Sequence, residues 1–286
     1  MQTRPRRSAL YMPAANARAI EKARTLDCDV VILDLEDAVA PDAKLQAREQ
    51  ACAAAQAGGF GRREVVIRVN GLDTPWGADD LAAARGAAPD AVLAPKIGGA
   101  DDVAAYRRAL GDGVRLWAMI ETCAAVFQMP EIARASRAAE LDCWVIGTND
   151  LAKEMRCRLD AARTPLLASL SLSVAAARAE GLTILDGVYN EIQDEAGLAA
   201  QCRQGADFGF DGKTLIHPSQ IAAANAAFAP DSESVAWSRT VVGAFDLPEN
   251  SGKGVLRVEG RMVERLHLAE ARRVLALAEA IAGHEA

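Results

Sequence analysis

Leu116-Trp117-Ala118-Met119-Ile120-Glu121-Thr122 and Trp144-Val145-Ile146-Gly147-Thr148-Asn149-Asp150-Leu151 share one design, an apolar run that closes on a carboxylate. A run apolar at every position, rather than at alternate ones, is a strand buried on both faces, as in a parallel sheet covered by helices. When such a sheet closes on itself, the residues just past the strand C-termini gather the chemistry. Two carboxylates placed there can share one hard cation, and the cation can hold a substrate by its oxygens.

Six more apolar runs flank these two, at residues 8–11, 30–33, 65–69, 91–94, 183–185 and 214–216, the last in a loose register that can begin at Phe210. With 116–120 and 144–146 they make eight strands. Helical periodicity fills the gaps at 42–57, 78–87, 101–110, 165–180 and 195–204. Start signals such as Asp42 after Pro41, Pro130-Glu131, and Pro165 after Thr164 open several of these helices. Eight repeats predict a (β/α)8 TIM barrel over residues 1–225, not an open doubly wound sheet. No G-x-G-x-x-G follows the first strand to favour a dinucleotide fold.

Past about Asn225 the alternation stops. Asp231-Ser232-Glu233-Ser234 opens a helix to Phe245, a Gly-rich loop spans 248–254, a short segment covers 255–258, and a long helix runs from about Leu266 to Ile281. Leu266, Leu268, Val274, Leu275, Leu277, Ala278 and Ile281 give that helix an apolar stripe. This C-terminal helical extension, residues 226–286, is expected to pack on a neighbouring subunit, because the barrel is already complete without it.

The 286 residues are 51% hydrophobic and 5% aromatic, which suits one barrel with an appendage. A formal charge of −7 argues against a nucleic-acid partner, so Arg4, Arg6 and Arg7 are expected to be a short solvated basic start. No stretch approaches a membrane span, and residues 1–7 run into a strand rather than a secretory apolar core. Cys28, Cys52, Cys123, Cys143, Cys157 and Cys202 lack C-x-x-C spacing, which excludes a zinc site and a disulfide framework. They read as small hydrophobes in a reducing, cytoplasmic setting.

The candidates for chemistry are the acids at strand ends: Asp34, Glu36 and Asp37 after the second strand, Glu121 after the fifth, Asp150 after the sixth and Asp186 after the seventh. Any one alone can cap a helix or pair with Arg or Lys. As a set, their burial at one barrel mouth is costly unless a cation offsets the charge, and all-oxygen ligation points to Mg²⁺ or Mn²⁺. Arg68, ending the third strand, can clamp a substrate carboxylate or form an internal pair with Glu36 or Asp37. Lys96 could form a Schiff base, but the metal-ligand candidates make that the lesser reading. Three histidines give no Ser/His/Asp set; His217 belongs at the mouth, and His267 and His284 are expected to be solvated or helix-capping.

Together, Arg7-Ser8-Ala9-Leu10-Tyr11-Met12-Pro13, Ile32-Leu33-Asp34-Leu35-Glu36-Asp37-Ala38-Val39, Arg68-Val69-Asn70-Gly71, Ile120-Glu121-Thr122, Gly147-Thr148-Asn149-Asp150-Leu151, and Gly209-Phe210-Asp211-Gly212-Lys213 through Pro218 carry a resemblance. From Arg7 to about Ile281 the chain resembles the citrate lyase β-subunit-like branch of the HpcH/HpaI aldolase family, which includes malyl-CoA lyases, citramalyl-CoA lyases and malyl-CoA thioesterases. The resemblance implies a Mg²⁺-dependent barrel acting on a CoA thioester. Glu121 and Asp150 would ligate the metal, and Arg68 would contact the oxo- or hydroxyacid. Glu36 and Asp37 would join the catalytic set, while Gly147 and Thr148 would border the substrate. The loop around Arg18 and Lys22, with Lys44, is similar to the region that meets CoA phosphates. The C-terminal segment of a neighbour in a trimer or hexamer would cover the site.

Related lyases carry an acid/base Asp in a Met-Ile-Asp triplet, where this chain has Met262-Val263-Glu264. One extra methylene moves a proton-transfer group by about 1 Å, enough to affect rate. With Gly187-Val188-Tyr189-Asn190, this region resembles the malyl-CoA thioesterases most. Ala14-Ala15 stands where the family has Gly-Ser, and Ala125 where it has Gly; the added Cβ atoms are expected to narrow the path for CoA. The expected function is a carbon–carbon lyase of the Claisen/aldol type for malyl-CoA or citramalyl-CoA. The alternatives are a (3S)-malyl-CoA thioesterase and an aldolase for a free oxoacid. A non-enzymatic binding barrel is disfavoured by the joint presence of Arg68, Glu121 and Asp150.

Overall fold

In the computed structural model, which describes residues 4–285 and side chains as far as Gly283, eight parallel strands close into a barrel. The expectations placed on residues 1–3 and on the His284 side chain lie outside the described residues. The strands are β1 (Ser8–Pro13), β2 (Val30–Asp34), β3 (Glu64–Arg68), β4 (Ala91–Ala94), β5 (Arg115–Ile120), β6 (Leu141–Ile146), β7 (Thr183–Asp186) and β8 (Gly212–Leu215), each bonded to the next, with β8 closing on β1. Helices α1 (Ala17–Ala23), α2 (Lys44–Ala57), α3 (Gly77–Ala87), α4 (Ala100–Leu110), α5 (Cys123–Arg134), α6 (Ser136–Ala139), α7 (Thr148–Glu154), α8 (Leu167–Ala179), α9 (Glu195–Phe208) and α10 (Ile221–Ala227) lie between and after them. The result is the (β/α)8 fold expected from the eight apolar runs.

Strand parity divides the core in two. Val30 and Ile32, Trp117 and Met119, and Cys143 and Val145 fill the barrel interior. Their alternates, Val31 and Leu33, Leu116 and Ala118, and Trp144 and Ile146, meet the helical layer. Parity therefore aims the residues that follow. Asp34 continues the inward series of Val30 and Ile32, and Arg68 that of Val66. Asp186 falls on the other parity from inward Leu185 and is fully buried behind the sheet.

Two strand starts lie two or more residues from the sequence expectation, each for a physical reason. β6 begins at Leu141, ahead of the expected 144, because Asp142 is tolerated inside it by ion pairs to Arg6 and Arg115. β8 begins at Gly212, where any Cβ would overlap the backbone carbonyl of Arg6. Only glycine allows the closing strand so near the chain that enters β1.

Arg6 and Arg7 correct the expectation of a solvated basic start, since both are buried at the N-terminal end of the strands. Arg6 grips Glu64 with two bonds of 2.7 Å and lies over the Trp117 ring; Arg7 grips Asp29 with two of 2.9 Å.

The chain divides into two compact units, residues 6–228 and residues 229–285 with Arg4 and Pro5. The second contains α11 (Ser232–Asp246), the antiparallel strands β9 (Val255–Val258) and β10 (Arg261–Glu264), and α12 (Arg265–Glu285). The hairpin was not legible as such: its turn, Glu259-Gly260, has positive φ at both residues, and Glu is an unusual occupant of such a position. Of the expected apolar stripe Leu268 and Ile281 are buried and Val274, Leu275, Leu277 and Ala278 half-buried; α12 packs on α11, and Val241, Val258, Val263 and Ala271 form a small core. Val255, Met262 and Leu266 stay exposed. His267 Nδ1 accepts the Glu264 backbone N–H at 2.9 Å, capping α12 as expected of it. Among the described residues no helix is long and apolar enough to cross a membrane.

Candidate active site

A cavity of about 300 Å³ opens at the C-terminal ends of the strands. Asp34, Asp37, Arg68, Glu121, Gly147, Thr148 and Asp150 line it, with Tyr11, Met119, Ile146, Val188 and Ile216 as an apolar wall. Strand-end position and the family resemblance together had placed Arg68, Asp37, Glu121, Gly147, Thr148 and Asp150 in one site, and the structure brings these six together.

Arg68 is held before any substrate arrives. Its Nε and Nη2 donate to the two Asp34 carboxylate oxygens at 2.7 Å each, and Tyr11 stacks on the guanidinium. Asp34 and Arg68 are register partners on β2 and β3, so the pair follows directly from strand parity. Nη1 lies 2.8 Å from Glu36 Oε2 and donates to Asp37 Oδ2 at 3.3 Å. Glu36, buried, also pairs with the Lys96 ammonium. The internal ion pair weighed against a substrate clamp is present, with Asp34 as its main partner. At Nη1 a ligand carboxylate would compete with Glu36 and with the longer contact to Asp37.

Glu121 is different. Lys96, in a left-handed backbone conformation at φ 51°, donates its N–H to Glu121 Oε1 at 2.8 Å. Oε2 is buried with no hydrogen-bond partner. Burial first, then the charges of Glu36 and Asp150, push this carboxyl up to about 7. A Cβ on Gly147 would overlap the Glu121 carboxylate, so glycine there is a condition of the site. Asp150 sits in the first turn of α7. An orphaned buried oxygen with a second carboxylate in electrostatic reach fits a hard divalent cation, and these are the two groups that could hold one. Among the described residues no three His, Cys, Asp or Glu side chains form a fuller cage.

Other expected residues fall elsewhere. Lys44 is buried and donates to main-chain and amide oxygens, so it is not placed to meet CoA phosphates. Arg18 and Lys22 are exposed on α1, one turn apart. Asp186 is occupied by Arg163 at 2.5 Å and Lys213 at 2.9 Å; although burial raises its pKa, these cations hold it below the usual carboxylate range. Ala14 and Ala125 are buried in the outer core and do not line the cavity, so their Cβ atoms narrow nothing there. His217 is exposed and its ring accepts from Ser219 N–H at 3.2 Å, capping a short turn. Asn149 and Asn190, whose amides bond each other at 2.9 and 3.2 Å across the rim, lie in motifs quoted above but were given no role of their own. Tyr11 and Asp34 had a sequence signal in their inward parity.

Residues 7–218 match the family described as HpcH/HpaI aldolase/citrate lyase. A (3S)-malyl-CoA thioesterase of Cereibacter sphaeroides (strain ATCC 17025 / ATH 2.4.3) is 47% identical over 98% of this chain and 97% of its own. An L-malyl-CoA/beta-methylmalyl-CoA lyase of the same strain is 33% identical over 97% and 96%. Among solved structures, CitE from Mycobacterium tuberculosis in complex with magnesium, acetoacetate and coenzyme A is similar at 30% identity and TM-score 0.77, over 98% of this chain and 100% of that one.

Proposed function

The chain belongs to the HpcH/HpaI aldolase/citrate lyase family, and from that premise we propose that it is a Mg²⁺-dependent hydrolase of a malyl-type CoA thioester. One observation carries the choice of hydrolysis over carbon–carbon cleavage. Identity is 47% to a protein named as a malyl-CoA thioesterase and 33% to one named as a lyase, each over nearly the full length. The lyase expected from sequence becomes the second reading.

Glu121 and Asp150 would hold the ion. When bound, it would polarise the oxygens it touches and offset the negative charge of the mouth. Mn²⁺ shares the same oxygen preference. Arg68, fixed on one edge by Asp34, would meet the malyl carboxylate at Nη1 in exchange for the 3.3 Å contact with Asp37. Gly147 and Thr148 border the acyl group, and Arg18 and Lys22 attract the CoA phosphates. Glu36 keeps Arg68 in register, and Asp37, more exposed, steers the attacking water. Glu264, brought by the extension of an adjacent copy in a trimer or hexamer, takes a proton from that water. The water oxygen bonds to the thioester carbonyl carbon, the C–S bond breaks, and the CoA thiolate leaves and takes up a proton. Six free cysteines support a reducing, cytoplasmic setting for this chemistry.

Carbon–carbon cleavage would use the same groups, with Glu264 taking the hydroxyl proton instead. Mass spectrometry of malyl-CoA incubated with enzyme and Mg²⁺ separates the readings: malate and CoA support hydrolysis, and glyoxylate and acetyl-CoA support the lyase. Turnover of free hydroxyacids alone would leave neither standing and favour a CoA-independent aldolase. For the oligomer, mixing inactive Glu264→Gln and inactive Glu121→Ala subunits should restore partial activity. Verified mixed oligomers without activity, or a monomer in solution, would remove the neighbour's role.

A further inference from the structure

Lys44 opens α2, yet its ammonium lies against the loop that follows β2. Nζ donates to Leu35 O, Glu36 O and Asn70 Oδ1, each at 2.7 Å, so all three donors are used and none meets a carboxylate directly. The residue is 6% exposed. Asn70 extends the restraint: Nδ2 donates to Leu35 O at 3.1 Å and to Asp80 Oδ2 at 2.6 Å, and its backbone N–H donates to the same Asp80 oxygen at 3.0 Å. Asp80, 1% exposed on α3, accepts Arg48 Nε at 2.6 Å on its other oxygen. Two helices and the end of a third strand thus converge on two peptide groups.

Those peptides lie between Asp34, which grips Arg68, and Asp37, which lines the cavity. Burying an ammonium against neutral oxygens is costly, and neutral donors could satisfy the same carbonyls. The charge has a use here, because the loop it holds carries Glu36 and Asp37 and begins at Asp34.

We propose that Lys44 is a positioning residue for the reaction. By fixing the Leu35 and Glu36 carbonyls it keeps Glu36 on Arg68 Nη1, and so keeps the guanidinium in place. The idea rests on the role proposed for Arg68. It excludes a phosphate contact for Lys44, which would need an exposed ammonium.

The test compares Lys44→Met and Asp80→Asn with wild type in the Mg²⁺-dependent malyl-CoA assay, together with thermal melting and a crystal structure of each variant. Lys44→Met should lower kcat about a hundredfold, the scale of a ~1 Å misplacement, with KM little changed. Asp80→Asn, which leaves Lys44 in place, should lower kcat less. In both variants Arg68 and Glu36 should be displaced. A folded Lys44→Met enzyme with lowered melting temperature but wild-type kcat would make the residue purely structural and overturn the proposal. Raised KM and weaker binding of free CoA with unchanged kcat would also overturn it, in favour of phosphate contact. If Lys44→Met does not fold, Asp80→Asn and Lys44→Arg decide on the same readouts. Should wild type turn over no CoA ester, the proposed function fails separately, and unmoved Arg68 and Glu36 in the variant structures would still sink this idea.

Discussion

At the N-terminal ends of the strands, Arg6 meets Glu64 and Asp142, Arg115 meets Asp142, and Arg7 meets Asp29. Three cations answer three acids. At the C-terminal ends, Arg68 pairs with Asp34, Glu36 and Asp37, and Lys96 with Glu36, but among the described residues no ion pair reaches Glu121 or Asp150, and one Glu121 oxygen has no hydrogen-bond partner. Both ends are built from the same residue types on the same strands. The floor is closed by its own side chains, and the mouth keeps carboxylates without ion-pair partners, which the proposed divalent cation would offset.

Paired substitutions sharpen that contrast most. Glu121→Gln should reduce kcat/KM by about a thousandfold or more, the loss of several kcal/mol of charge stabilisation, and abolish Mg²⁺ binding by calorimetry. The metal-free melting temperature should hold or rise, because an unpaired buried carboxyl is removed. Glu64→Gln should do the reverse: about 3–5 kcal/mol of stability lost by leaving Arg6 poorly paired, with kcat of the folded enzyme unchanged. If both variants lose stability alike, the two ends are not different in kind.

Arg68→Lys comes next, with kcat/KM down about a hundredfold, because one ammonium cannot hold Asp34 with two bonds and also present a planar edge to a carboxylate. Wild-type kinetics would make Arg68 part of the scaffold. The smallest effect belongs to the exposed charges. Arg18→Ala and Lys22→Ala should each raise KM for the CoA ester about two- to fivefold at low salt and less at high salt, with kcat intact. A salt-independent change, or none, would remove α1 from the CoA path.

Much of the mouth was legible because parity and position act locally. Glu121 and Asp150 close their apolar runs, and Arg68 ends a strand whose inward series it continues. The fate of a charge was less legible, because it depends on what stands opposite in space. Arg6 and Arg7 read as solvated until Glu64 and Asp29 faced them, and Asp186 read as a mouth acid until parity turned it toward Lys213. Lys44 looked like a surface cation because nothing in its own helix says that three oxygens wait beneath the preceding loop. In the extension, Glu259-Gly260 hid a hairpin for want of the usual Asn or Asp.

The seam where Gly212 lets β8 lie against the entry to β1 has a consequence for how the enzyme comes into being. Tyr11 on the first strand and Thr214 on the last both line the cavity, so its two sides are about two hundred residues apart along the chain. On the ribosome, the early strands emerge with half a wall and no binding site. A nascent chain carrying Glu121 and Asp150 but lacking β8 has its acids on an open sheet that nothing has yet closed. The cavity therefore arrives late and all at once, when the barrel's final strand reaches its first.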